Sequence, residues 1–133
     1  MIAVDTSAVI AILFAEPEAA VFRATLRDNG PLSISAMSVL EAETVMLGRL
    51  GPAFVPDVRD LLVRRGVQII AFDDDQAKLA STAYARFGKG FHRARLNMGD
   101  CAAYALAKSL NAPLLYKGDD FAQTDMVSAS TAG

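Results

Sequence analysis

The chain has 133 residues, a formal net charge of −2, 53% hydrophobic residues and 21% charged residues, which describes one folded domain and excludes both a disordered chain and two domains. Cys101 and His92 are the only residues of their kind, so an internal disulfide, a Cys-based zinc site and a two-His metal site are excluded. No apolar run nears the roughly 18 residues of a membrane span, and the acidic balance by itself gives no sign of nucleic acid.

The chain opens on a short apolar run, Ile2-Ala3-Val4, that stops at Asp5. A strand buried on both faces reads this way. Thr6 and Ser7 are suited to cap a helix over 8–14, and Pro17 suits the first turn of a second helix reaching 28. Asn29-Gly30-Pro31 breaks it, 32–35 reads as a second strand, and 36–50 as a helix ended by Gly51-Pro52. A helical stretch over 55–65 follows, then the clearest strand pattern, VQIIAF at 67–72. A helix over 76–87, a glycine-containing basic loop over 88–97 and a helix opened by Gly99-Asp100 come next. Leu114-Leu115-Tyr116 reads as the last strand, 118–124 as a turn or short helix, and 128–133 as a flexible tail behind one domain spanning 1–127. Short apolar strands alternating with helices predict an α/β fold, with a mostly parallel sheet covered by helices on both sides. Ligands of such sheets bind beyond the carboxyl ends of the strands, so polar residues just after strands are the ones to weigh.

Acids fall there. Asp5 ends the first strand, Asp119 and Asp120 follow the last, Asp100 stands in the first turn of a late helix, and Glu41 interrupts a largely apolar helix face. Each has a plain structural reading: Asp5 as a helix cap, Asp100 as a charge at the positive end of its helix, Asp119 and Asp120 as turn residues. Glu41 resists such a reading, because an ionised buried Glu costs several kcal/mol unless paired. Together the acids converge on one sheet edge. Two carboxylates about 4 Å apart repel by roughly 4 kcal/mol at an effective dielectric near 20, so a cluster persists only by holding protons or a cation. Oxygen-only donors suit Mg²⁺ or Mn²⁺ and fit metal-assisted phosphodiester hydrolysis.

The cations are segregated as well. No Asp or Glu occurs over 76–99, and within that window Arg86, Lys89, His92, Arg93 and Arg95 are interleaved with Phe87 and Phe91. Such a stretch is suited to RNA phosphates and to stacking on a base. The plainer alternative is a solvated loop anchored by two core phenylalanines.

Four blocks in order, Asp5-Thr6-Ser7-Ala8, Leu40-Glu41-Ala42, Asn97 to Ala107 with Gly99-Asp100-Cys101, and Lys117-Gly118-Asp119-Asp120-Phe121, resemble the PIN-domain ribonucleases of the VapC type, toxins of bacterial toxin–antitoxin pairs. The resemblance implies a three-layer α/β/α domain and Mg²⁺- or Mn²⁺-dependent cleavage of RNA, tRNA or rRNA being the expected class. It implies that Asp5 and Asp100 are the main metal ligands and Glu41 a further acid. Asp120 is the preferred fourth acid, with Asp119 the alternative. Thr6 and Ser7 would support the site from behind. It also implies a VapB-type antitoxin, a homodimer, a toxin–antitoxin hetero-oligomer and a cytoplasmic location; the N-terminus carries no basic signal-peptide region. A second reading is a catalytically silent domain whose acidic pocket grips an Arg-bearing peptide. An Asp-nucleophile phosphotransferase ranks lowest, since Ser7 stands where such enzymes carry a second Asp.

Overall fold

A computed structural model describes residues 1–130. Four strands, β1 (Ile2–Val4), β2 (Leu32–Ser35), β3 (Val67–Ile70) and β4 (Leu114–Leu115), form an all-parallel sheet in the order β3-β2-β1-β4. Six α-helices stand among the described residues: α1 (Thr6–Leu13), α2 (Ala19–Asp28), α3 (Ala36–Leu50), α4 (Pro56–Arg64), α5 (Asp74–Phe87) and α6 (Met98–Leu110).

Side-chain alternation along β1 assigns the layers. Ile2 and Val4 pack on one face with Ile12 of α1, Phe22 and Leu26 of α2, Met46 of α3 and Leu61 of α4. Ala3 and its neighbour Leu114 pack on the other face with Ala80 and Phe87 of α5 and Ala103 and Leu106 of α6. Each fully buried Leu, Ile or Val contributes about 1.5–3 kcal/mol, so these two faces hold the three α/β/α layers together. Ala102, Ala103, Ala105 and Ala107 of α6 are all buried, and their small side chains let this helix lie close to the sheet.

The strand order creates the site. The chain steps from β1 outward to β2 and β3, then returns to lay β4 on the other side of β1. The direction of progression reverses between β1 and β4, and the crevice beyond their carboxyl ends is the switch point at which parallel sheets bind ligands.

Several boundaries differ from the sequence expectation. Asp5, not Thr6 or Ser7, caps α1, so that helix starts at Thr6. The second helix begins at Ala19 rather than at Pro17, and α5 begins at Asp74 with Asp73 as its cap. The strand expected over 67–72 ends at Ile70, and its Gln68 and Ile69 are exposed because β3 is an edge of the sheet. The last strand stops at Leu115. The tail expected to be flexible over 128–133 is instead paired at its start. Leu114 N–H donates to the Val127 carbonyl and Ala129 N–H donates to the Leu114 carbonyl, each at 2.9 Å. This segment covers the open edge of β4, which satisfies backbone groups that an uncovered edge strand would leave free. Residues 131–133 lie outside the described residues.

Candidate active site

Asp5 is 3% exposed at the carboxyl end of β1. Its Oδ2 accepts the Ser7 backbone N–H at 3.0 Å and the Ser7 hydroxyl, which closes the first turn of α1. Its Oδ1 is buried and has no hydrogen-bond partner. The Ser7 hydroxyl oxygen also accepts the Lys117 backbone N–H at 2.9 Å, so one serine joins Asp5 to the chain leaving β4.

Asp100 is the third residue of α6 and forms a reciprocal cap with Asn97. Its Oδ2 accepts the Asn97 N–H at 2.9 Å while its own N–H donates to Asn97 Oδ1 at 2.8 Å. That arrangement leaves Asp100 Oδ1 uncommitted. The helix-cap readings of these two acids hold. One oxygen of each caps a helix, and the other remains available.

Glu41, on α3, reaches across to the first turn of α6. Its carboxylate rests against Gly99, so closely that a Cβ at Gly99 would stand 2.3 Å from Glu41 Oε2. Asp120 follows the turn at Gly118, whose φ of +98° suits glycine alone. The charges of Asp100 and Glu41 reach Asp5, and those of Glu41 and Asp120 reach Asp100. The four acids thus share one electrostatic site. Burial is the largest influence on Asp5 and pushes its carboxyl up to about 7, against the downward pull of both Ser7 hydrogen bonds. Burial also pushes Asp100 up to about 6, opposed by the Asn97 N–H and reinforced by Glu41 and Asp120.

Asp119 goes elsewhere. It lines a cavity of about 390 Å³ with Glu18, Tyr116 and Lys117. The Lys117 ammonium is held at 3.1 Å from both Glu16 and Glu18, away from the four acids. The Thr6 hydroxyl does not bond the Asp5 carboxylate; it donates to the Ser38 carbonyl at 3.0 Å and ties the start of α1 to α3, one turn before Glu41. Of the two neighbours expected behind the site, Ser7 touches Asp5 and Thr6 positions the helix that carries Glu41.

The basic stretch divides in two. Arg86 stands 3.6 Å from Asp125 and 4.5 Å from the Phe87 ring centroid, and His92 Nδ1 accepts the Ala94 N–H at 2.9 Å while its ring edge meets Phe87. Both have partners within the fold, although the Arg86 side chain stays largely exposed. Lys89, Arg93 and Arg95 are exposed, with no ion pair among the described residues. Phe87 is a core anchor, whereas Phe91 is 68% exposed. Phe91 and Lys89 line a groove of about 720 Å³ with Tyr84, Met37 and Met98 that opens beside Asn97. Sequence reasoning missed two site residues, Asn97 and Gly99. The Asn-x-x-Asp spacing of a reciprocal cap signals the first; nothing local signals the second.

The residues present fit a hard cation. A buried orphan oxygen on Asp5, a free oxygen on Asp100 and an all-oxygen donor set match Mg²⁺, which takes one or two carboxylates and keeps its waters. Among the described residues no three His, Cys, Asp or Glu side chains form a ready-made cage. Cys101 is no competitor, since burial pushes its thiol up to about 11.

The profile of the PIN domain matches residues 2–126. The chain belongs to the PIN-domain family, in its VapC branch. It is 44% identical over 128 residues to the ribonuclease VapC of Mycolicibacterium smegmatis, an alignment covering 94% of this chain and 97% of the relative. Its fold is similar to that of VapC20 of Mycobacterium tuberculosis, described as a sarcin-ricin loop cleaving toxin, with a TM-score of 0.79 at 17% identity over 98% of this chain and 99% of the other. It is also similar to VapBC2 of Rickettsia felis, solved bound to a DNA fragment from its promoter, with a TM-score of 0.74 at 15% identity over 96% of each chain.

Proposed function

We propose that this VapC-branch protein is a metal-dependent endoribonuclease and the toxin half of a toxin–antitoxin pair. The observation that carries the reading is Asp5 Oδ1, a buried carboxylate oxygen without a partner, on which the charges of Asp100 and Glu41 act. A fold does not leave such an atom dry without cost, and a cation satisfies it. Asp5 and Asp100 would hold Mg²⁺, or Mn²⁺, with Glu41 reaching it directly or through water. When bound, the ion would polarise a phosphate oxygen and lower the pKa of a bound water so that it gives up a proton more readily.

The chain's own residues do the remaining work. Ser7 fixes the rotamer of Asp5, and Asn97 fixes that of Asp100. Asp120, on the loop after β4 with its charge acting on Asp100, would accept a proton from water. Lys89, Arg93 and Arg95 hold substrate phosphates, and the exposed Phe91 ring offers a surface on which an unpaired base stacks. A structured RNA, tRNA or rRNA, is the substrate class, in keeping with the target described for the mycobacterial VapC20. The partner is a VapB-type antitoxin, in keeping with the VapBC complex from Rickettsia felis. Leu40, Leu47 and Leu50 of α3 and Phe54 just after it are exposed, which supports coverage of that side by a second copy or by the antitoxin. Among the described residues no helix is long and apolar enough to cross a membrane, and we place the protein in the cytoplasm.

The test is cleavage of purified tRNA and rRNA by wild type and Asp5→Asn, each with Mg²⁺ and then with excess EDTA. Only wild type with Mg²⁺ is expected to cut. Equal cutting by both proteins refutes the assigned site. No cutting of any RNA, together with tight binding of an Arg-bearing peptide that Asp5→Asn abolishes, would replace the enzyme with a silent peptide-binding domain.

A further inference from the structure

The Glu41 carboxylate packs directly against Gly99. Inside a helix, Ala is ordinarily preferred to Gly by about 1 kcal/mol, because glycine loses more backbone freedom on folding. Gly99 nevertheless sits in the first turn of α6, beside Asp100 and buried. A Cβ there would stand 2.3 Å from Glu41 Oε2 and 2.7 Å from both Oε1 and Cδ, far inside contact distance. None of those atoms is backbone. All belong to the end of a side chain that pivots freely from α3, so the cheap response to a methyl group is for the carboxylate to move rather than for the helices to part.

We propose that Gly99 is a positioning residue whose missing side chain forms the seat of the Glu41 carboxylate. The seat lies at the positive end of α6, where a carboxylate is favoured. It is one residue from Asp100, whose second oxygen is free. Without it, Glu41 stands off the site by at least the width of a methyl group, and α6 presents Asp100 alone. The seat rests on the nuclease reading for its role, but not for its existence.

The test is a double-mutant cycle between Gly99→Ala and Glu41→Gln, read in two ways: the turnover number for RNA cleavage, and the Mg²⁺ concentration at the midpoint of the rise in melting temperature. Gly99→Ala is expected to fold, to lower turnover and weaken the Mg²⁺ midpoint about tenfold to a hundredfold, as loss of an orienting contact does, and to leave KM for RNA unchanged. The double variant is expected to be no worse than Glu41→Gln alone. Losses that multiply, or a Gly99→Ala protein identical to wild type in both readouts, overturn the proposal. If Gly99→Ala fails to fold, the same substitution is made in Glu41→Ala, where the obstacle is gone. Folding there upholds the seat, and failure there overturns it. A crystal structure of Gly99→Ala is independent of any activity. A displaced Glu41 carboxylate upholds the seat even if wild type cuts no RNA, and an undisplaced one overturns it even if wild type does.

Discussion

Asp5 and Asp100 are held by the same device on two different helices. Each gives Oδ2 to a backbone N–H at a helix start, Ser7 for one and Asn97 for the other, and each keeps Oδ1 out of that cap. A cap fixes a carboxylate's rotamer without neutralising its second oxygen. The local need of a helix for an acceptor and the need of a site for an aimed oxygen are met by one side chain.

That shared device separates stability from activity in Asp5→Asn. Asn caps a helix as well as Asp does, and it carries no charge into a buried site. The variant is expected to melt at or above the wild-type temperature at pH 8 without metal, to lose the Mg²⁺-dependent rise in melting temperature, and to lose RNA cleavage by a hundredfold or more. Calorimetry and a cleavage assay on the same preparation check both halves.

The raised acids set the sign of the pH dependence. The folded protein keeps protons on Asp5 up to about 7 and on Asp100 up to about 6, while an unfolded Asp releases its proton near 3.8. The native state therefore binds more protons between those limits, and metal-free stability falls as pH rises from about 4 to 7, then levels. For the buried Asp5 this is on the order of a few kcal/mol. Mg²⁺ binds the ionised carboxylates, so its stabilising effect is expected to be small at pH 5 and large at pH 8. Thermal melts at fixed Mg²⁺ across that range give the curve; a shift that shrinks with rising pH contradicts it.

Asp119 and Asp120 are neighbours with opposite expectations. The charge of Asp120 reaches Asp100, whereas Asp119 lines the cavity beside Glu18 and Lys117. Asp120→Asn should lower cleavage about tenfold to a hundredfold. Asp119→Asn should leave turnover within twofold. A reversed ranking reassigns the fourth acid.

The basic stretch is expected to divide by function as it divides by structure. Replacing Lys89, Arg93 and Arg95 with Ala should raise KM for RNA and flatten its salt dependence, because each cation that contacts a phosphate adds to the slope. Arg86→Ala should change KM less, since that side chain is engaged with Asp125 and Phe87. Initial rates at two salt concentrations are sufficient to tell them apart.

Much of the architecture was legible in the residues. A three-residue apolar strand ending at Asp5 and a helix opening on Gly99-Asp100 read correctly because strand burial and helix starts are local matters. The net charge of −2 hides how the charges are segregated, since a basic loop and the acids at the strand ends cancel in the sum. Other features depend on packing between distant segments. His92 and Arg86 both rest against the Phe87 ring, His92 at a steep interplanar angle and Arg86 over its face, a placement no local pattern signals. The start of the tail read as flexible, yet it pairs with Leu114, because β4 has an edge to cover.

The sequence by itself determined which acids stand at strand ends and helix starts, for those positions follow from hydrophobic period and capping chemistry. Only the tertiary structure decided which of them meet. The loop after Gly118 sets Asp119 on the cavity beside Glu18 while the charge of Asp120 reaches Asp100, and the packing of α3 on α6 brings Glu41 against Gly99, 58 positions away in the chain. Such a contact leaves no local pattern, because it is set by the distance between two helices and not by the preferences of either.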